Sequence, residues 1–325
     1  MRKRGFLVSG AVLLVLCLVS GCASDAGMIQ QTPQPLASDD PQHTAATLYY
    51  RDAKGYIVPV VRRLRTMEDM ASEVLYAQLA TAENCAVLQP LGLTPVLGRK
   101  LEFDVTVEDN VAKVDIVGRT FTPKDAAEES DMVNCIVNSL CSLQGVNGVV
   151  LSVDGKPVKK LPKGTGVAGV LMQRPVNEIY ADKKAKQDVA CTLYYISGQS
   201  GLLQPVTMHY SALPSLEEAV NAMIEPKKDS KLSSVFPDGC KLIDSSVKEG
   251  IAELNFSKEF SFLGEYPELE SRVLVALNSV CRELAHADEM KITVEGMEYR
   301  PVLNFWPDTE AVSAFNALGE EYDAY

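Results

Sequence analysis

The stretch TLYY occupies residues 47–50 and recurs at residues 192–195. Threonine, leucine and tyrosine side chains suit a strand that is buried on at least one face. At each place a glycine-containing turn follows, and then a second apolar run that carries the pair Pro59-Val60 or Pro205-Val206. Both places therefore predict a β-hairpin, and the repeat invites a comparison of the residues that follow.

A helical pattern follows each hairpin. Residues 66–80 (TMEDMASEVLYAQLA) and 215–226 (SLEEAVNAMIEP) place apolar side chains on one face of a helix. Each stretch has two acidic residues in its first turn, where the helix dipole favours negative charge. Thr66 and Ser215 are the predicted N-caps.

The match continues to the end of each copy. Two strands around a tight turn (100–117 and 241–256) precede a second helix (130–143 and 271–284) and a last strand (149–158 and 290–302). Residues 138–141 (NSLC) align with residues 278–281 (NSVC). The chain therefore contains two diverged copies of a unit of about 110 residues, with the order β-β-α-β-β-α-β.

This order of elements, the Leu-Tyr-Tyr strand, the segment Phe236–Gly239 (FPDG) and the Asn-Ser-Leu/Val-Cys helix resemble the GerMN domain. The resemblance implies two tandem α+β domains, each a sheet packed by two helices and related to ring-building modules. It also implies a part in the complex that joins the mother-cell and forespore membranes of endospore-forming bacteria. The first copy departs from the pattern, with Val96–Arg99 (VLGR) in place of FPDG and an additional segment, Glu83–Gly92, before it. No catalytic residue follows from the resemblance.

The first 22 residues have the features of a bacterial lipoprotein signal. Arg2, Lys3 and Arg4 precede an apolar run that is shorter than the roughly 20 residues of a transmembrane helix. The run ends in residues 19–22 (VSGC), which resemble the lipobox, so Cys22 is the predicted lipidation site. Two acyl chains on this cysteine would suffice for stable anchoring. The alternatives are a plain secretory signal and an uncleaved anchor.

Composition divides the chain further and limits its partners. The expected segments are a signal peptide (1–21), a flexible tether (22–46), domain 1 (47–158), a linker (159–190), domain 2 (191–303) and a tail (304–325). The net charge of −12 argues against binding to nucleic acid, which calls for a basic surface.

The tail contains the only tryptophan, Trp306, which would either pack on domain 2 or anchor a recognition peptide.

Motifs that suggest chemistry lack the context that such chemistry needs. His43, His209 and His286 have no second histidine at a metal-binding spacing, so a structural role is predicted for each. The glycine pattern at residues 164–169 follows a lysine-rich stretch instead of a strand, which favours a linker over a dinucleotide site. The Ser-x-x-Lys pattern at residues 245–248 lies on a predicted strand and not in a helix.

Six cysteines besides Cys22 belong to the predicted mature chain: Cys85, Cys135, Cys141, Cys191, Cys240 and Cys281. The copies do not share a pair of cysteines, which argues against an inherited disulfide framework. Most are expected to be small buried side chains, and Cys85, in a polar context, is the predicted exposed thiol.

The sequence thus predicts a non-catalytic lipoprotein of sporulation or germination on the extracytoplasmic face of the membrane. Its predicted partners are an envelope protein complex, the membrane through its lipid, and possible further copies of itself. No cofactor or metal ion is expected. The alternative from another class is an envelope lipoprotein that acts on cortex peptidoglycan or binds a ligand.

The lipobox makes a direct prediction. Cys22→Ala removes the thiol that accepts the lipid, so the protein should lose processing and lipid attachment. Detergent-phase partitioning and the mobility of the mature form measure both, and Cys17→Ala, within the apolar run, is the matched control. A processed Cys22→Ala protein that still partitioned fully with the membrane would contradict the prediction.

Overall fold

The computed structural model describes residues 42–181, 189–198, 200–302 and 316–317, apart from the side chain of residue 229. Cys22, the predicted signal peptide, Trp306 and most of the predicted tether and tail lie outside the described residues. Among the helices that are described, none has the length and apolar character needed to span a membrane.

The elements repeat in order along the chain, with short 3-10 turns between some of them. The first unit contains β1 (His43–Asp52), β2 (Ile57–Arg65), α1 (Met70–Tyr76), α2 (Ala82–Leu88), β3 (Leu93–Pro95), β4 (Phe103–Glu108), β5 (Val111–Ile116), α3 (Ala126–Leu140), β6 (Gly148–Val153) and β7 (Lys156–Pro157). The second contains β8 (Ile179–Tyr180), β9 (Val189–Ile196), β10 (Leu203–Tyr210), α4 (Leu216–Ile224), β11 (Leu242–Lys248), β12 (Ile251–Phe256), α5 (Pro267–Ala285), β13 (Glu289–Val294) and β14 (Met297–Glu298).

The expected α+β class and the two similar tandem units are confirmed. Each unit has two sheets, whereas the sequence predicted one sheet in each unit. The TLYY hairpins lie in three-stranded sheets of order β2-β1-β3 and β8-β10-β9. The other strands form sheets of order β4-β5-β6-β7 and β11-β12-β13-β14. The central pairs β5-β6 and β12-β13 are parallel, so a helix, α3 or α5, must carry the chain back between them.

The beginning of each TLYY stretch is tied to the end of the long helix in the same unit. Thr47 N donates to Ser142 Oγ at 3.0 Å, and Thr192 N donates to Glu283 Oε1 at 3.0 Å. Ser142 and Glu283 therefore occupy equivalent positions, which places Leu140 opposite Cys281. The sequence alignment of residues 138–141 with 278–281 is wrong by one residue, because the turn before α5 is longer than the one before α3.

One of the two predicted N-caps is confirmed. Ser215 Oγ accepts from Glu218 N at 3.1 Å while the Glu218 carboxylate accepts from Ser215 N at 2.7 Å, a complete capping box. The prediction that Thr66 is an N-cap is wrong, because α1 begins at Met70 and its N-cap is Asp69. The Thr66 backbone N–H instead donates to Gln42 O at 2.7 Å and prolongs the hairpin.

The predicted tether (22–46) and the predicted linker (159–190) each contain residues that pack against the first unit. Strand β1 begins at His43, inside the predicted tether, because Ala45 and Ala46 are buried against the first core. The predicted linker begins with a connecting segment, residues 159–181, that packs on the first unit. Leu161, Val167 and Val176 of this segment are buried, and no helical or strand period in the sequence indicates it.

A buried carboxylate fixes the first part of the connecting segment. Glu129, fully buried in α3, accepts from Lys163 N at 2.7 Å and from Thr165 N at 2.8 Å. Both carboxylate oxygens are thus satisfied by backbone donors, as a buried charge requires. The equivalent Glu270 of α5 accepts from Val302 N at 2.9 Å and from Tyr299 Oη, so each unit holds the segment that follows it.

Glu283 gives the fold a specific pH dependence. Burial raises the pKa of its carboxyl to about 7, and the hydrogen bond from Thr192 N opposes this only in part. In the unfolded chain the same carboxyl has a pKa of about 4.3. Between these values the folded state binds the extra proton, so stability should fall as the pH rises from about 4.3 to about 7.

Glu283→Gln should remove this contribution and raise the free energy of unfolding at pH 8 by about 1–3 kcal/mol, with little change at pH 4.5. The amide retains an oxygen that can accept from Thr192 N. Denaturant unfolding at both pH values measures the effect, and exposed Glu289→Gln is the control. An equal change at the two pH values would show that Glu283 does not titrate as described.

Candidate functional site

The two units meet along their equivalent hairpin strands, β2 and β10. Asn177, at the end of the connecting segment, accepts from Ile57 N at 2.7 Å through its Oδ1. Its Nδ2 donates to Ile57 O at 2.7 Å and to Pro205 O at 2.7 Å. One side chain therefore joins a strand of the first unit to a strand of the second.

Asn316 makes the reciprocal set of hydrogen bonds. Its Oδ1 accepts from Leu203 N at 2.7 Å, and its Nδ2 donates to Leu203 O at 2.6 Å and to Pro59 O at 2.7 Å. Leu203 and Ile57 each lie two residues before the proline of their strand. Asn177 and Asn316 both have positive φ (55° and 53°), a backbone region that asparagine tolerates better than most residues.

The two prolines explain why asparagine side chains are needed here. Proline has no backbone N–H, so Pro59 and Pro205 each remove a donor from the strand edge that faces the other unit. Their carbonyl oxygens still need donors when they are buried. The amide groups of Asn316 and Asn177 supply those donors. The junction is completed by Leu202 of the second unit, which packs in the core of the first.

A basic cleft opens beside the junction. Its cavity of about 650 Å³ is lined by side chains of both units, with lysines the commonest among them: Lys54, Tyr56, Ile179, Lys227, Lys228, Ser230 and Lys231. Lys54 Nζ donates to Ser233 Oγ at 2.9 Å, and Lys227 Nζ donates to Ala181 O at 2.9 Å. Within the part of the chain that is described, no carboxylate forms an ion pair with any of the four lysines. The cleft is therefore suited to an anionic ligand.

The outer edges of the four-stranded sheets carry exposed aliphatic side chains. Strands β4 and β11 each form one edge of their sheet, and the two-residue strands β7 and β14 form the opposite edges. Val107 on β4 is 45% exposed, and on β11 Ile243 and Val247 are 51% and 44% exposed. An edge strand offers a row of backbone donors and acceptors to an incoming strand, and apolar side chains beside it add contact area.

An acidic groove lies next to β4. Glu68, Asp69 and Glu73, from α1 and the turn before it, line a cavity of about 440 Å³ together with aromatic side chains. Those aromatic rings belong to Tyr76 and Phe103, whose centroids are 5.0 Å apart. The groove therefore offers negative charge and aromatic surface along one side of the β4 edge.

The residues that the sequence singled out are not brought together. His209 Nε2 lies 3.0 Å from Glu178 Oε1, and His286 caps the end of α5. Across the described ranges, no three histidine, cysteine or acidic side chains form a group that could hold a metal ion. Residues 245–248 lie on strand β11, as the sequence indicated.

The six cysteines of the described chain are free thiols, and Cys85 is exposed, which confirms the prediction for that residue. Cys135, Cys191, Cys240 and Cys281 are buried, and Cys141 is partly buried. Burial raises the pKa of the Cys191 and Cys281 thiols to about 12, and coulombic repulsion from Glu283 adds to the effect at Cys191. These thiols are therefore protonated and poorly nucleophilic at neutral pH.

Sequence reasoning missed the junction and the basic cleft. The cleft had a signal in residues 227–231 (KKDSK), a cluster of lysines in an acidic chain. Asn177 and Asn316 had a weaker signal, since Asn177 is the single asparagine of residues 159–190, whereas the tail contains both Asn304 and Asn316. Their role depends on which strands face each other, and that arrangement is not encoded locally.

Comparison with known proteins agrees with this architecture. A family model described as "Germane: Sporulation and spore germination" matches residues 47–159 and 192–300. The tandem GerMN domains of the sporulation protein GerM from Bacillus subtilis are similar to this chain at 22% identity, with a TM-score of 0.59, over 78% of this chain and 92% of that one. Its first GerMN domain alone matches at 22% identity and a TM-score of 0.36, over 40% and 97% of the two chains. No curated protein matches.

The asparagine hydrogen bonds at the junction should carry stability. In Asn177→Asp the carboxylate can still accept from Ile57 N but cannot donate to the two carbonyls that face it. The free energy of unfolding should fall by about 2–4 kcal/mol, because two buried acceptors lose their donor. Asn110→Asp is the matched control, since Asn110 also has positive φ but lies in the exposed β4–β5 turn.

Chemical unfolding and limited proteolysis of the connecting segment measure this effect. Asn110→Asp should change the free energy of unfolding by less than about 0.5 kcal/mol. Equal stability of the two variants would mean that the junction does not depend on the Asn177 amide.

Proposed function

The chain belongs to the Germane family of sporulation and spore germination, and from this premise we propose that it is a non-catalytic, lipid-anchored docking protein. It acts on the extracytoplasmic face of the membrane. There it binds, through its two units, a protein complex that spans the space between mother cell and forespore.

The observation that carries this proposal is the pair of open sheet edges, β4 and β11, at equivalent positions on the two units. Both edges expose aliphatic side chains that a partner strand would cover. A partner strand could add to either edge through backbone hydrogen bonds. Two edges on one chain allow two simultaneous contacts, which raise avidity without new contact chemistry.

The surroundings of β4 indicate what kind of partner it would accept. Glu68, Asp69 and Glu73 place negative charge along one side of this edge, next to the Tyr76 ring. A strand with alternating basic and apolar residues would therefore complement β4, because its basic side chains would face the acidic groove.

The lipid anchor is supported by the sequence before Cys22, with its basic start, short apolar run and lipobox. The non-catalytic interpretation is supported by the position of Glu283. Glu283, whose carboxyl pKa is raised, accepts from Thr192 N inside the fold and does not line any of the clefts described above. A catalytic carboxyl would be expected to line a cavity.

A second candidate function is supported by the basic cleft. Four lysines around a cavity at the junction suit an anionic envelope ligand, such as a carboxylate-bearing fragment of cortex peptidoglycan. In that case the protein would be a ligand-binding or wall-acting lipoprotein, and the sheet edges would be incidental to its function.

Site-specific photocrosslinking in sporulating cells tests the docking proposal. A photoreactive residue at Val107 or Val247 should crosslink to an envelope protein, and the same residue at Val170, which is 53% exposed on the connecting segment, should not. Val107→Lys combined with Val247→Lys should reduce co-purification of the crosslinked partner by at least about tenfold, because charge on an edge opposes strand addition and a lysine beside β4 also repels the basic side chains of the proposed partner.

The contrary result is equally specific. Unchanged co-purification by the edge variant would refute docking through β4 and β11. Loss of envelope association in Lys228→Glu with Lys231→Glu, together with binding of purified cortex fragments by the unaltered chain, would instead support the second candidate. Release of soluble fragments from cortex would identify an enzyme.

A further inference from the structure

The open edge of β4 presents the backbone groups of alternate residues. At one end of the pairing with β5, Val117 N donates to Glu102 O at 3.0 Å. Along an antiparallel strand, residues alternate between those that bond to the neighbouring strand and those that point away from it. The N–H and C=O groups of Phe103, Val105 and Val107 therefore point away from β5, and an added strand would bond to these three residues.

The side chains of the same three residues lie on the core face of the sheet. Each stands directly opposite a buried residue of β5, and directly opposed residues share a face. The buried partners are Ile116, Val114 and Ala112. Phe103 and Val105 are half-buried, whereas Val107 is 45% exposed. The residues that offer backbone hydrogen bonds to a partner are thus the ones whose side chains the partner would touch.

Two cavities of different character lie along this face. The acidic groove lies beside Phe103 and Val105. A second cavity of about 480 Å³, here called the aliphatic pocket, lies beside Val105 and Val107. Its apolar lining consists of Met70, Ala71, Val105, Val107, Leu143 and Val146. Glu68 and Asp69 line both cavities, so a strand that ran along β4 would pass from an acidic environment to an aliphatic one.

The acidic side chains beside β4 are not neutralised by the first unit. Across the described residues, no basic side chain forms an ion pair with a carboxylate of the acidic groove or with the neighbouring Asp104. Asp69 accepts from Ser72 N at 3.1 Å, which engages only one of its carboxylate oxygens. Negative charge on a docking surface favours a basic partner, and the two aromatic rings of the groove also attract a cation.

We propose that β4 binds an extended segment of a partner protein that places a basic side chain in the acidic groove and an aliphatic side chain in the aliphatic pocket. This inference rests on the docking function proposed for β4 and specifies what that edge selects. The basic residue lies beside Phe103 and the aliphatic residue beside Val107, so the two are four positions apart on one face of the segment. The alternate residues of the segment face solvent and are polar.

The equivalent edge, β11, has different charges around it. Lys241 precedes this strand and Lys248 ends it, and both are exposed. Basic side chains of this kind oppose a basic partner. The segment that binds β4 should therefore not bind β11, which makes β11 a control within the same molecule.

Hydrogen exchange of the full chain with a synthetic peptide tests the proposal. The probe is the blocked peptide Thr-Arg-Thr-Val-Thr-Leu-Thr, used beside its reversed sequence because an added strand can run in either direction. At saturation, one of the two peptides should slow exchange of the Val105 and Val107 amides by at least about tenfold. The Asp104 amide, which already bonds to β5, and the Val247 amide on β11 should not change.

Fluorescence anisotropy with the labelled peptide measures the charge selection. Glu68→Lys with Glu73→Lys should weaken binding by at least about tenfold and should strengthen binding of the same peptide with glutamate in place of arginine. Glu217→Lys with Glu289→Lys makes the same change of charge on exposed residues of the second unit, and it should leave both affinities within about twofold. These two double variants are the matched pair.

The aliphatic pocket has its own test. Val107→Thr keeps the shape of the side chain and its suitability for a strand, and it replaces a methyl group that the partner would cover with a hydroxyl. It should weaken binding of the arginine peptide by about threefold to fivefold, because one methyl group no longer contributes apolar contact. Unchanged affinity would show that the aliphatic side chain of the partner does not enter the pocket.

Other outcomes would overturn the proposal in distinct ways. Equal binding of the arginine and glutamate peptides, or protection of Val247 together with Val107, would show that the edges accept any strand. Protection of Val107 that appears without peptide and grows with protein concentration would identify a second copy of the chain as the occupant. A photocrosslink from Val107 in cells that persists in the Glu68→Lys, Glu73→Lys variant would leave docking through β4 intact and would overturn only the selection described here.

Discussion

The arrangement of the two units depends on satisfying the backbone groups of two strand edges that face each other. Strands β2 and β10 cannot form an ordinary ladder at the junction, because Pro59 and Pro205 lack the N–H that such a ladder would use. Their carbonyls are instead bonded by Asn177 and Asn316, whose side chains carry both a donor and an acceptor. Each asparagine also accepts from the N–H and donates to the carbonyl of one strand residue, Ile57 for Asn177 and Leu203 for Asn316. A side chain that can only donate or only accept could therefore not replace either of them.

This reciprocity follows from the duplication. Two copies of one unit expose the same edge, and identical edges associate most simply as a closed pair. Each copy then needs a segment that reaches the other, and the connecting segment serves this purpose for the first unit. Glu129 and Glu270 are equivalent buried residues that hold the chain as it leaves each unit. In both copies a buried glutamate accepts hydrogen bonds from the segment that follows, although the surrounding sequences have diverged.

Much of the fold could be predicted from the sequence because periodicity and turn chemistry are local. The turns Asp109-Asn110 and Glu249-Gly250 adopt positive φ, as their residue types indicate. The one-residue error in aligning α3 with α5 arose because two similar tetrapeptides outweighed burial, which sequence does not report. Ser142 and Glu283 show the true equivalence, through a shared hydrogen bond to the first residue of each TLYY stretch.

The candidate binding surfaces were less predictable, since they depend on what remains uncovered after the units associate. Val107 and Val247 look like ordinary strand residues in the sequence, and only the sheet order shows that their strands are outermost. The surroundings of the two edges also differ. Only β4 has the acidic groove of Glu68 and Asp69 beside it, as far as the described cavities show. Two edges that began as equivalent surfaces have therefore acquired different surroundings. The junction preserves that difference, because its hydrogen bonds join β2 and β10 and so present each edge in a defined direction.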